Sequence, residues 1–172
     1  MSKTQLKKEL ATLSREDLQA VILDLYASRK EAKAWLDFFV NPDLEALTDK
    51  YRFEIDREMS RGKYGKSTAR ISRVRSSIRE YASFGVDAEA VIDIMLYALK
   101  AGLRNERLKY VSKTYMNGMV RLASDILKVG DRRTIFDTAF RGLEEALNGS
   151  YGYLNFVNYI RREIDWTPLT KK

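Results

Sequence analysis

Hydrophobic residues recur along this chain in steps of three and four, the spacing of an amphipathic helix. Leu18, Val21, Ile22, Leu25, Ala32, Trp35, Leu36 and Phe39 keep that spacing across one long segment beginning after Ser14. Ser14 is the predicted N-cap, with Asp17 three residues on, and Asn41-Pro42 closes the segment because proline disfavours helix at the preceding residue. A shorter helix, TQLKKELATL, precedes it behind Ser2 and Gln5. Leu44, Leu47, Tyr51 and Ile55 predict a helix over 43–59. Beyond a glycine-containing basic loop at 60–67, Ile71, Val74, Ile78 and Tyr81 form the seam of a helix over 68–83, with Ser67 or Thr68 as its predicted cap. Gly85 then interrupts the chain, and Asp87 caps AEAVIDIMLYALKAG. Apolar residues surround most of that helix and leave one polar stripe of Glu89, Asp93 and Lys100, as expected of a central helix. Helices over 105–129 and 131–147, separated at Gly130, a loop at 148–152 and a C-terminal helix complete the series.

No segment alternates with the period of a strand, so the pattern predicts an all-α protein. The expected architecture is a single domain over 1–172, with seven to eight helices arranged as hairpins. An internal echo supports the hairpins. KELATLSREDLQAVI (8–22) resembles REYASFGVDAEAVI (79–92), and ILKVGDRRTIF (126–136) is a fainter copy. Each copy joins a helix end, a tight turn, an acidic residue and an apolar pair. Hairpins stacked in a short α–α superhelix produce such an echo, and so does recurring turn chemistry.

Composition narrows the chemistry. With 172 residues, 45% hydrophobic and 32% charged, the chain has the make-up of a globular domain. It has no cysteine, which excludes disulfides, thiolate metal sites and thiol nucleophiles. It has no histidine either, which removes the commonest general base and metal ligand. These absences point away from an enzyme, and no cofactor is expected. The charged start MSKTQLKKEL lacks the apolar region of a secretion signal, and no stretch reaches the ~20 apolar residues of a membrane span. The expected address is the cytoplasm, with no membrane partner.

Charge is the feature that singles out a region. The formal net charge is +7, and residues 60–79 hold Arg61, Lys63, Lys66, Arg70, Arg73, Arg75 and Arg79 with no Asp or Glu. The other 24 basic residues are matched by 24 acidic ones, so the whole surplus lies in that segment. Within it, GKYGKST (62–68) looks like the end of a phosphate-binding loop. That loop needs a glycine five residues before Gly65, where Ser60 stands, and it must leave a β-strand, whereas YRFEIDREMSR has a helical pattern. No nucleotide is expected there. Three readings of the segment remain open. Its arginines lie along the helix and pair with Asp49, Glu54, Asp56 or Glu58. Alternatively they face outward to an acidic protein partner, or to nucleic acid bound without sequence preference.

Two other groupings read as structural. The aromatic tail (Tyr151, Tyr153, Phe156, Tyr159, Trp166) is expected to pack the last helix onto the core rather than stack bases, and Trp35, Phe38 and Phe39 are read the same way. Asp93 and Asp137 hold equivalent places in two echoes, where a polar-stripe role is favoured over a magnesium or proton-sharing pair.

The opening MSKTQLKKELATLSREDLQAVILDLYASRKEAKAWLDFFVNPD carries a resemblance in its MSK-x-x-LKK start, L-S-x-E-x-L turn and LY-x-x-RKEAK-x-x-LDFF-x-NPD run. A basic break and a D-x-E-A-V-x-D-x-M helix follow. In these features the chain resembles a bacterial family catalogued only as a domain of unknown function, densely over 1–50 and patchily to about residue 100. The resemblance implies one small helical domain and brings no activity or catalytic residue. The reading favoured by the sequence is a non-enzymatic interaction protein using the surface of residues 61–79.

Overall fold

The structure is a computed structural model that describes residues 1–63, 66–104, 112–149 and 154–167, and only the backbone of Lys63, Lys66 and Leu154. Its contacts group into two compact units, Met1–Asp43 and Leu44–Lys172. Apart from one ladder of two-residue strands, its described elements are helices, and the all-α class holds.

The first unit contains α1 (Lys3–Leu10), α2 (Arg15–Ser28) and α3 (Lys30–Val40). Both predicted caps form. Ser2 Oγ accepts the Gln5 N–H at 3.2 Å, and Ser14 Oγ accepts the Asp17 N–H at 3.1 Å. The long helix predicted to run from Ser14 to Phe39 does not form, because Arg29 is extended (φ −130°, ψ 115°) and divides it. At that point the three–four spacing puts Ser28 and Arg29 where apolar residues are due, so a continuous helix has nothing to bury there. The break lets α2 and α3 pack on each other. Tyr26 Oη donates to Asp37 at 2.9 Å, and the Lys33 ammonium lies 5.3 Å from the Tyr26 ring centre. No residue of this unit is buried. Trp35 and Phe39, expected to pack, are stacked on each other at 5.3 Å but remain 40% and 66% exposed.

The second unit runs α4 (Leu44–Met59), β1 (Gly62–Lys63), β2 (Lys66–Ser67), α5 (Ile71–Ser83), α6 (Ala88–Leu103), α7 (Lys113–Arg132), α8 (Phe136–Asn148) and α9 (Leu154–Glu163). Its packing is that of stacked hairpins. α4 pairs with α5 and α6 with α7; α4, α6 and α8 touch in series on one side, and α5, α7 and α9 on the other. Such a stack hides its core between two helical layers. α6 meets α4, α5, α7 and α8, which is why it is apolar almost all round, and Ile92, Ala98 and Leu99 are completely buried. Two of the sequence echoes fall at equivalent joints of the stack, α5 to α6 and α7 to α8. The α5–α6 joint uses Gly85 at φ 81°, followed by Asp87, whose Oδ1 accepts the Ala90 N–H at 2.7 Å.

The predicted separation at Gly130 is corrected. α7 passes through it and ends at Arg132. A Cβ on Gly130 would stand 2.5 Å from that of Ala139, so the glycine serves close approach of α8 rather than a break. The turn comes later, with Thr134 at φ 60°. The loop at 60–67 lies where expected but is a minimal antiparallel ladder, pairing Gly62 with Ser67 and Lys63 with Lys66. No described helix is long and apolar enough to cross a membrane.

Candidate functional site

The basic segment begins at the ladder and continues along α5. The predicted caps Ser67 and Thr68 do not cap this helix. It starts at Ile71, Arg70 occupies the cap position without a side-chain bond, and Ser67 Oγ instead accepts the Ala69 N–H at 3.3 Å. A carboxylate from α4 takes over part of that role. Glu58 Oε1 accepts the backbone N–H of Arg70 at 2.9 Å and its Nε at 3.2 Å, and Arg61 Nη1 lies 3.8 Å from the other carboxylate oxygen. Burial by itself raises the Glu58 carboxyl pKa. The Arg70 bonds and the Arg61 charge outweigh it and hold the group below its ordinary value.

Further along α5, every fourth residue faces α7. The two helices approach closely where Gly118 meets Ile71, since a Cβ there would stand 2.8 Å from Ile71 Cβ. Arg75 bridges them by giving Nε (2.8 Å) and Nη2 (2.5 Å) to the same oxygen of Asp125. On α7, Arg121, Asp125, Lys128 and Arg132 recur at steps of four, three and four, and therefore share one helix face. Two cavities open along this seam. One, about 360 Å³, is lined by apolar Ile78, Ala82, Val91, Met95, Leu122 and Val129, with Arg75, Arg79, Lys128 and Arg132 around them. The other, about 320 Å³, lies at the starts of α5 and α7 and includes Arg70, Arg75, Ser72, Asn117 and Arg121. Arg75 lines both, and Asp125 is the one carboxylate among the residues lining them.

The structure thus places Arg70, Arg75 and Arg79 of the predicted set along the α5–α7 cleft, Arg70 at one cavity, Arg79 at the other and Arg75 at both. Arg61 joins Arg70 at Glu58 but lines neither cavity. Arg73 is exposed on α5 and lines neither. The side chains of Lys63 and Lys66 lie outside the described residues. Of the readings left open for the segment, internal pairing describes part of it: Arg61, Arg70 and Arg75 each have a carboxylate partner, while Arg79 reaches the Ser76 hydroxyl at 3.1 Å. Of the four acids considered on α4, only Glu58 takes these arginines. Glu54 accepts from Ser77 at 3.2 Å and Asp56 from Tyr97. Arg121, Lys128 and Arg132 were missed because each has acids nearby in sequence. Their signal was helical phase, not local charge.

The remaining groupings are structural. Phe156 is buried 6.2 Å from the Tyr115 ring, and Trp166 meets Phe140 edge-on at 5.4 Å while its Nε1 donates to Arg161 O. Tyr151 and Tyr153 lie outside the described residues. Asp93 and Asp137 are both exposed, on α6 and α8.

The profile of a family of unknown function, DUF6155, matches residues 1–133. No curated protein and no solved structure matches the chain.

Proposed function

We propose that this chain, which belongs to the family of unknown function DUF6155, is a non-enzymatic cytoplasmic interaction protein that docks an acidic macromolecule along the α5–α7 cleft. The observation that carries this reading is the lining of the cleft: six cations (Arg70, Arg75, Arg79, Arg121, Lys128, Arg132) to one carboxylate, around an apolar floor. A purely solvated face distributes both signs. A floor of Ile78, Met95, Leu122 and Val129 gives an apolar side chain somewhere to sit, while the rim receives carboxylates on either side of it. That combination suits an acidic amphipathic segment of a protein, the helix-in-groove mode of recognition. Nucleic acid is the second reading. The cation spacing favours it, but the one aromatic residue among those lining the cleft, Tyr115, is buried and donates its hydroxyl to Gly102 O, which leaves no open ring face to stack a base.

Fluorescence anisotropy separates the two. The probes are a labelled amphipathic helix of Leu and Glu and a labelled DNA oligonucleotide, each titrated at low salt against the wild-type chain and Arg79→Glu/Arg132→Glu. The expected result is binding of the peptide that the double substitution weakens at least tenfold. Oligonucleotide binding that falls ~100-fold between about 50 and 200 mM salt, the effect of about four phosphate contacts, assigns the cleft to nucleic acid instead. If neither probe binds at low salt, or the substituted protein binds like wild type, the cleft is not a docking surface.

A further inference from the structure

We infer that the N-terminal unit, residues 1–43, is a self-association module whose apolar side chains are covered by the same unit of a second copy of this chain. Among the described residues, thirteen large hydrophobic side chains are exposed, and eleven of them lie in this unit. They are not scattered. Val21, Ile22 and Leu25 follow the spacing of one helical face on α2, and Trp35 and Phe39 stack one turn apart on α3. The unit has two good N-caps and an interhelical tyrosine–aspartate bond but no buried residue. Forty-three residues without a core are too few to hold a fold by themselves, and association is the usual remedy at this size.

Two quantities favour a second copy as the occupant. The first is area. Val21, Ile22, Leu25, Trp35 and Phe39 are 41%, 48%, 46%, 40% and 66% exposed. At ~200 Å² for each large side chain when fully exposed, they leave about 500 Å² of apolar surface per copy and about 1,000 Å² for two, the lower bound of a specific interface. The second is charge. Residues 1–43 hold seven Lys or Arg and seven Asp or Glu, so the unit is neutral and the chain's entire +7 lies beyond it. A neutral surface has no electrostatic preference for an acidic or basic partner and no repulsion from its own copy. Within the unit the signs are also separated. Lys3, Lys7 and Lys8 against Glu9 give α1 a net +2, while Glu16, Asp17 and Asp24 against Arg15 give α2 a net −2. A two-fold arrangement that lays α1 of one copy beside α2 of the other sets these opposite charges against each other twice.

The test is the mass of the full chain in solution, by light scattering during gel filtration and by sedimentation across a dilution series. The expected mass at high concentration is twice the 19.9 kDa of one chain, falling to one chain on dilution towards the low micromolar range. Raising salt to about 1 M leaves the dimer intact, because an apolar contact between neutral units is not screened away. Ile22→Glu and Phe39→Glu, both at exposed positions, each weaken association about 30-fold or more, as loss of an anchor side chain does. Circular dichroism checks that helix content survives each substitution. Arg79→Glu/Arg132→Glu, in the α5–α7 cleft, associates like wild type. A wild-type chain of single mass at every concentration overturns the inference, and so does a dimer that salt dissolves or that both substitutions leave unchanged.

Discussion

Replacing Asp125 by Asn moves stability and binding in opposite directions, and both shifts follow from the Arg75–Asp125 pair. Arg75 gives two N–H groups to one Asp125 oxygen, at 2.8 and 2.5 Å, with the two side chains 32% and 30% exposed. A hydrogen bond to a charged group is worth ~1.5–3 kcal/mol when shielded, but solvent reaches about a third of this pair, so its loss costs about 1 kcal/mol. For a chain of this size that lowers the melting temperature by about 2–4 °C. The cleft responds the other way. Its lining of six cations and one carboxylate carries a net +5, which the neutral amide raises to +6, and Arg75 is released to face the opening. One unit charge about 8 Å from a ligand carboxylate in a nearly aqueous dielectric contributes ~0.5 kcal/mol. Two such carboxylates therefore tighten binding about fivefold and three about tenfold at low salt, and the gain vanishes near 1 M, where screening acts over about 3 Å. Thermal melts followed by circular dichroism measure the first effect, and anisotropy with the acidic peptide the second. A protein that melts lower and binds the peptide no better at low salt refutes the assignment of the cleft as the docking surface.

Five further substitutions test the frame that holds the cleft. Glu58 has a lowered pKa, so its contribution is complete above the ordinary carboxylate value and is lost as pH falls through the lower folded one. The stability gap between wild type and Glu58→Gln therefore closes below about pH 4, as denaturant titrations across pH will show. Tyr51 and Tyr81 are both fully buried and meet edge-on at 5.6 Å, yet they differ at their hydroxyls. Tyr81 Oη bonds Thr48 at 2.9 Å, so Tyr81→Phe costs about 1 kcal/mol in urea unfolding. The Tyr51 hydroxyl makes no bond of good geometry, and burial, with the nearby Glu80 carboxylate adding to it, pushes its pKa up; Tyr51→Phe is neutral or stabilising. Gly118→Val forces a side chain against Ile71, costing about 1–3 kcal/mol and weakening peptide binding through displacement of α5 from α7. Thr134→Gly relieves a β-branched residue at φ 60° and raises stability by about 0.5–1 kcal/mol by calorimetry.

Apolar spacing announced the helices of residues 44–172 with good fidelity because most of them keep a buried seam, as α5 does with Ile71, Val74, Ile78 and Tyr81. The turn echoes marked real joints because each must end one helix, reverse and cap the next within a few residues. Two errors share a cause. Arg29 was read as helical and Gly130 as a break, although neither residue's type fixes its backbone. Neighbouring packing does: α3 folding back on α2 in one case, and Ala139 pressing on α7 in the other. The site was half legible for a similar reason. A run of like charge is visible in sequence, but its partners are chosen across the fold. Asp125 stands 50 residues from Arg75, and Arg121, Lys128 and Arg132 join the cleft only because α7 turns that face to α5.

The division of charge between the two units gives each surface its own physics. Residues 1–43 carry no net charge and expose eleven large hydrophobic side chains, whereas residues 44–172 carry 24 basic and 17 acidic groups with a buried core. Docking at the α5–α7 cleft depends on Coulomb attraction and weakens as salt shortens its range. Association through α2 and α3 depends on removing apolar area from water and persists or strengthens in a salting-out medium. One chain examined along one salt axis should therefore lose its acidic ligand while keeping its dimer mass. If the two fall together, a single electrostatic surface performs both roles, and the exposed side chains of α2 and α3 are then left without a function.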